Sequence, residues 1–148
     1  MKVRGEYIRA DGKVIPNQFT QAGMELLLKA AFWRDQTVSD WLMGLCMQIP
    51  QDNISVNDLN EPTIGLAGYG RQTLTWVQTD WPVIGSVANE TFVESASKTF
   101  PLTGALSGPV TRLFLIAGNT VVSISSPIND SPQIYSSPQT FKYRLYFR

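Results

Sequence analysis

Few residues in this chain have side chains suited to chemistry, and one of the most useful types is missing. The 148 residues include no histidine, which removes the commonest general base and the commonest metal ligand. A serine or cysteine nucleophile therefore has no imidazole to activate it. The single cysteine, Cys46, lies in an apolar run, so we expect a core residue rather than a nucleophile. The sequence predicts no enzyme activity and no cofactor.

Two groups of carboxylates remain as candidates for a site. Asp52, Asp58 and Glu61 offer oxygen ligands for Ca²⁺, although their spacing does not match a helix-loop-helix calcium loop. The alternative is a solvated loop with turn-forming residues. Glu90 and Glu94 lie four positions apart, which on a strand places them on one face, but no flanking feature favours a glycosidase pair. The sequence thus assigns no metal site, and calcium binding by the loop stays open.

The overall charge points to association with other chains. The formal net charge is zero and only 16% of residues are charged, while the chain contains 4 Trp, 5 Tyr and 7 Phe. Charge near zero promotes association, so part of the surface is expected to be covered by partner chains. The alternative is an ordinary globular domain with a polar surface. Basic residues gather near both ends of the chain, but a nucleic-acid binder shows a larger excess, so we expect no nucleic-acid partner.

The elements that must position these residues are mainly strands. No apolar run is long enough to span a membrane, and the amino terminus lacks a signal-peptide pattern, so synthesis in a cytoplasm is expected. The pattern predicts one domain over residues 1–148, an antiparallel β-sandwich or jelly roll with one short amphipathic helix. The predicted elements of the first half are a hairpin over 2–15, a helix over 19–33 with Thr20 as its N-cap, a buried strand over 41–49, a loop over 51–68 with a helical turn near 56–59, and a strand over 69–77. A loop around Asp80-Trp81-Pro82 and Gly85 leads to a strand over 91–100. Strands over 110–117 and 121–125, joined as a hairpin by Gly118-Asn119, a Ser/Pro-rich loop over 126–139 and a last strand over 141–148 follow.

Short motifs recur in a fixed order between residues 17 and 128. The most specific is Gly-Tyr-Gly-Arg-Gln at 68–72, and the others include Thr-Gln-Ala-Gly at 20–23, Gly-Leu at 44–45, Asn-Glu-Pro at 60–62, Phe-Pro at 100–101 and Val-Thr at 110–111. In this order they resemble a family of small virion structural proteins encoded by tailed phages.

The resemblance implies a jelly-roll-like domain that is made in the host cytoplasm and assembles on the virion. Its first implied function is a capsid decoration (cement) protein, a homotrimer bound to the major capsid protein. The alternative is a tail, collar or fibre-attachment protein of the same fold. A third class, a carbohydrate-binding module using Trp81, is also left open.

The predicted assembly contacts lie on two segments. The amino-terminal strand and the 50–68 loop are the expected contacts with the capsid, because exposed ends and long loops can add to neighbouring sheets. Arg71, on the polar side of its strand, either pairs across subunits or caps a loop within one chain. The full set of candidate contacts is Lys2, Arg4, Tyr7, Asp52, Asp58, Glu61, Arg71 and Trp81.

Overall fold

Antiparallel strands dominate the computed structural model, which describes residues 2–32, 40–47 and 55–148. One α-helix, α1, spans Gln21–Phe32, and 3₁₀ helices occur at Val56–Asp58 and Leu66–Gly68. A mainly β, antiparallel fold with one helix is therefore confirmed. The strands are β1 (Val3–Arg9), β2 (Val14–Phe19), β3 (Trp41–Cys46), β4 (Gln72–Leu74), β5 (Val83–Val87), β6 (Glu90–Glu94), β7 (Lys98–Phe100), β8 (Arg112–Ala117), β9 (Thr120–Ser125) and β10 (Gln139–Phe147).

All the strands belong to one curled sheet. Its order is β4-β3-β8-β9-β2-β1-β10-β6-β5, with β7 paired to the first part of β10. The curl brings β4 beside β7. It also brings Trp41 of β3 onto Tyr143 of β10, edge to face, with ring centroids 6.1 Å apart, although other strands separate β3 from β10 in the sheet. The concave face therefore encloses the main core.

The last strand shows how the sequence pattern builds this core. Phe141, Tyr143 and Leu145 alternate along β10 and are almost completely buried. The intervening Lys142 and Arg144 lie on the convex face and are partly exposed. Side chains alternate between the two faces of a strand, and residues opposite each other on paired strands share a face. The side chains of β10 therefore show which residues of β1 and β6 are concave and which are convex. The predicted alternation is confirmed.

The helix is fixed at its start by a cap and by close packing on the sheet. Thr20 is the predicted N-cap, and its Oγ1 accepts a hydrogen bond from the N–H of Gly23 at 2.9 Å. A Cβ at Gly23 would lie 2.1 Å from the carbonyl oxygen of Val122 on β9. Glycine weakens a helix, but here it lets the helix lie directly on the sheet. Leu27 then covers part of the core.

The structure differs from the prediction between residues 69 and 100. The expected strand over 69–77 is reduced to β4, and the strand expected over 91–100 is divided into β6 and β7. Residues 83–87, predicted as loop, form β5. Gly85 suggested a turn, but it lies within β5 because the Phe92 ring leaves no room for a side chain: a Cβ would lie 2.6 Å from that ring. The turn to β6 uses Ala88 at φ 52°, where glycine is usual.

Candidate interaction surfaces

One side of the sheet carries a ladder of alternating charges. The charged face, as we call it, is the convex side of β1, β10 and β6, where Glu6 lies opposite Arg144 and Arg144 lies opposite Glu94. Nε of Arg144 donates to Glu94 at 2.8 Å, and Nη1 donates to Glu6 at 3.3 Å. Arg4 donates to Glu90 at 2.7 Å and to Glu6 at 3.2 Å. These contacts link all five side chains into one network.

Two arginines of the charged face also contact aromatic rings, and its glutamate Glu94 is held in the charged form. The Arg4 guanidinium lies 3.5 Å from the centre of the Tyr146 ring, and the Arg144 guanidinium lies 4.7 Å from that of Phe92. Burial raises the pKa of Glu94, but hydrogen bonds from Arg144 and Lys142 outweigh it and hold the pKa below its ordinary value. The two terminal strands, which carry many of the basic residues, are neighbours in the sheet. Carboxylates on the same face neutralise their charge.

The candidate contacts near the amino terminus, Lys2, Arg4 and Tyr7, lie in three different environments. β1 pairs with β2 on one side and with β10 on the other, so its backbone cannot add to a neighbouring sheet. Sheet addition through this strand is therefore not possible, because the strand lies inside the sheet, whereas a capsid contact through its side chains stays a prediction. Tyr7 is fully buried and packs edge to face on Tyr143, which leaves its side chain no surface for a partner. Lys2 is exposed, and Arg4 belongs to the charged face.

Glu61 organises the segment that leads into β4. Its carboxylate accepts hydrogen bonds from Arg71 at 2.8 Å and from the Tyr69 hydroxyl at 2.7 Å. The same hydroxyl accepts the backbone N–H of Leu45 on β3 at 2.9 Å. Arg71 therefore pairs within the chain, which is the second of the two alternatives that its sequence position left open.

Asp58, a second carboxylate of the loop considered for Ca²⁺, has hydrogen-bond partners of its own. Asp58 accepts hydrogen bonds from the backbone N–H and the hydroxyl of Ser55, at 2.9 and 2.8 Å, and these bonds lower its pKa. Its partners thus differ from those of Glu61, and Asp52 lies outside the described residues. Across residues 2–32, 40–47 and 55–148, no group of three or more acidic, cysteine or histidine side chains is placed to hold a metal ion.

The described part of the 50–68 loop lies against the sheet. Val56 and Leu59 pack on a small cluster on the convex side of β3, β8 and β9. Cys46 belongs to this cluster and is buried, as predicted. The other buried members of the cluster are Phe114, Ile116 and Val121.

An apolar groove opens beside the helix. This groove, which we call the Trp groove, has a volume of about 430 Å³. Trp76 and Trp81 stack in its wall with ring centroids 6.3 Å apart, and Trp76 is 46% exposed. The more exposed indole is thus Trp76, whereas the sequence singled out Trp81. The lining residues are Leu27, Trp76, Val77, Gln78, Trp81, Val93, Leu145 and Phe147.

Asp80 fixes the segment that presents both tryptophans. Its carboxylate accepts hydrogen bonds from the N–H and the hydroxyl of Thr75, both at 2.7 Å, and pairs with Lys98 at 2.6 Å. The Lys98 contact, with those from Thr75, lowers the pKa of Asp80 to about 2. The Trp81 indole N–H donates to the Thr75 carbonyl at 2.9 Å. Sequence reasoning missed the role of Asp80, because its pairing with Lys98, 18 positions away, is not visible in the sequence.

The β5–β6 hairpin extends the apolar surface. Three aliphatic side chains of β5 are exposed: Val83 (42%), Ile84 (75%) and Val87 (50%). Ile84 lies opposite Val93, which in turn lies opposite Leu145, so Ile84 shares the face of the Trp groove. In the part of the chain that the structure describes, no strand pairs with the outer edge of β5.

Comparisons with known proteins add no relative. No family model, no curated protein and no solved structure matches the chain. None of the helices in the described ranges has the length and apolar character needed to cross a membrane. The surfaces of the chain are therefore the features that can indicate its function.

Proposed function

We propose that this chain is a non-enzymatic structural protein of a tailed-phage virion, most specifically a capsid decoration (cement) protein that oligomerises on the shell. The observation that carries the proposal is the apolar surface formed by the Trp groove and the β5–β6 hairpin. Contiguous exposed apolar surface of this kind is typical of sites that contact other proteins. The charged face, by contrast, has its charges paired within the chain.

The chemistry of the groove suits a protein partner. Its walls are aliphatic and aromatic, and Gln78 is the one lining residue with a polar side-chain amide. Removing such walls from water contributes roughly 25 cal/mol per Å² of apolar area, part of which offsets the freedom that the two partners lose on association. A protein bound in this way at many positions on a shell adds buried area that resists internal pressure. The groove and the hairpin thus provide the contact that a cement protein requires.

The motifs behind the phage resemblance have a structural role in this chain. Asn60-Glu61-Pro62 and the Gly-Tyr-x-Arg-Gln element are separate in sequence, yet Glu61 binds both Tyr69 and Arg71. One ion pair therefore joins two elements of the resemblance and positions β4. We also infer a jelly-roll-like arrangement, because β3 and β10 face each other across the core through Trp41 and Tyr143.

The test uses purified protein and phage shells that lack it. We expect saturable co-sedimentation and a higher disruption temperature of the shell. Val77→Asp, which places a charge in the Trp groove, should weaken binding by roughly tenfold or more, equivalent to about 1.4 kcal/mol. Val14→Asp is the matched control, since Val14 and Val77 are 49% and 51% exposed. Equal binding by the two variants would remove the groove from the proposal, and no binding by wild type would remove the cement function.

The second candidate is a tail, collar or fibre-attachment protein. It is favoured by the Ser/Pro-rich loop, which crosses the surface and exposes Ile134 by 57%. In the same experiment, tails replace shells in a parallel sample. Co-sedimentation with tails alone, abolished by Ile134→Asp, would establish this second function.

A further inference from the structure

We propose that the outer edge of β5 pairs antiparallel with β5 of a second copy, about a two-fold axis that passes between the two Gly85 residues. This pairing would be the contact between copies in the virion, so its role there rests on the proposed function above. Its occupant is a second copy of this chain, and the reasons are the backbone geometry, the residue pattern and the charge of β5.

The backbone of β5 has hydrogen-bonding groups available at the correct positions. The N–H of Ser95 donates to the Tyr143 carbonyl at 2.8 Å, so Val93 and Thr91, at alternate positions along β6, also direct their backbone groups toward β10. They lie opposite Ile84 and Ser86. These two residues of β5 therefore direct their N–H and C=O groups away from β6, to the edge.

An antiparallel pair centred on Gly85 uses these groups in register. Ile84 then lies opposite Ser86 of the second copy, and each such pair exchanges two backbone hydrogen bonds. Gly85 lies opposite Gly85 of the second copy at a pair without hydrogen bonds, where the strands approach most closely. A glycine suits this position, because the Phe92 ring already covers its convex side.

The two valines of β5 are placed symmetrically about the same glycine. Its sequence is Val-Ile-Gly-Ser-Val, so the two-fold places Val83 beside Val87 of the second copy on the convex face. Both valines are about half exposed in the single chain, and Ile84 is 75% exposed. Pairing covers part of these apolar side chains on both faces of the strand, and removing apolar surface from water is favourable.

Charge and edge features also favour a second copy. β5 carries no charged side chain and no proline, which are the usual means of protecting an exposed edge. The nearest acidic side chain beyond the turn, Glu90, pairs with Arg4 of its own chain. The chain has no net charge, so two copies meet without mutual repulsion.

This pairing has a consequence for shell binding. A two-fold axis perpendicular to the paired strands keeps the same face of both copies on one side. The two Trp grooves therefore face the same way, and a dimer can bind a repeating surface at two points, which raises its overall affinity. The resulting unit is a dimer, in place of the homotrimer that the family resemblance implied.

The experiment measures self-association of the full chain without shells. We expect sedimentation equilibrium to show a reversible dimer for wild type. Ile84→Lys should raise the dissociation constant roughly tenfold or more, and Ser86→Pro, which removes an outward N–H, should act likewise. Ile64→Lys is the matched control, because Ile64 is 60% exposed on a different segment, and it should associate as wild type does.

A second measurement uses wild type alone and is independent of how the variants fold. Hydrogen exchange at the amides of Ile84 and Ser86 should slow as protein concentration rises, while exchange at Ile64 should not change. Wild type that stays monomeric, unaltered exchange at both amides, or a dimer that persists in the two edge variants would overturn the proposal. Failure to bind shells would overturn the proposed function and leave this dimer untouched.

Discussion

The charged face and the Trp groove lie on opposite sides of the same two strands. On β10, Arg144 is convex and Leu145 is concave; on β6, Glu94 is convex and Val93 is concave. The convex charges find their partners within the chain. The concave apolar surface continues past the core into the groove and onto Ile84, which is mostly exposed. The convex side of these two strands has its charges paired in the single chain, whereas their concave side continues into apolar surface that is open to a partner.

This difference shows why charge alone does not identify an interface. An ion pair network with good geometry satisfies its own donors and acceptors, so a partner gains little by contacting it. Apolar side chains at an open edge remain in contact with water in the single chain, and a partner that covers them removes that surface from water, which is favourable. The two sides should therefore respond differently to substitution: the charged face through stability, and the apolar side through association.

The largest expected effect is on the charged face. Arg144→Met removes the side chain that links Glu6 and Glu94, whose side chains are 10% and 9% exposed. Both glutamates keep one other cation, so we expect a loss of about 3 kcal/mol in the free energy of unfolding, at the lower end for a broken buried pair. Urea denaturation measures it.

The matched control on the same strand is Lys142→Met. The Lys142 side chain is 42% exposed and contributes one ion pair to Glu94, so its removal should cost less than about 1 kcal/mol. Equal losses for the two variants would contradict the interpretation that Arg144 joins the network. Shell binding by either folded variant should match wild type.

An intermediate effect is expected where Asp80 supports the groove. Asp80→Asn weakens charge-assisted bonds to Thr75 and Lys98, and we expect a loss of about 2 kcal/mol and a change in tryptophan fluorescence. The folded-state pKa of Asp80, about 2, is below its ordinary value of 3.8. Its stabilisation is therefore complete above pH 4 and is lost as the pH falls toward 2.

The acid titration separates this anchor from other carboxylates. Wild type should show a fluorescence change between pH 4 and 2 that Asp80→Asn lacks. Asp11→Asn is the control, because contact with Arg9 also lowers the pKa of Asp11 to about 2, yet its partners are Arg9 and the backbone N–H of Lys13, away from the groove. A fluorescence step that disappears in Asp11→Asn instead would disprove the assignment to Asp80.

Local patterns predicted the regular elements well where periodicity was clear. The alternation along β10, the Thr20 cap and the Gly118-Asn119 hairpin all follow from residue type and spacing, which act over a few positions. The antiparallel β class follows from the same patterns. The curl of the sheet could not be read in this way, because it depends on which distant strands meet.

The surfaces were harder to predict, since they depend on partners far apart in sequence. Arg4 and Glu90 are 86 positions apart, and Arg144 and Glu6 are 138 apart, so neither pairing is visible in the sequence. Tyr7 looked like a contact residue but belongs to the core. β5 was missed because Gly85 resembles a turn signal, and only the position of the Phe92 ring explains a glycine within the strand.

The smallest expected effect is at the turn of the β5–β6 hairpin. Ala88 has φ 52°, in the left-handed region that costs a residue with a Cβ roughly 1–2 kcal/mol. Ala88→Gly removes this strain, but glycine also loses more conformational freedom on folding, so the net stabilisation should be only about 0.5 kcal/mol. The midpoint of urea denaturation measures the change. Because the turn does not touch the outer edge of β5, self-association should be unchanged. A variant that is more stable yet no longer associates would show that the conformation of the turn, rather than the edge of the strand, controls the contact between copies.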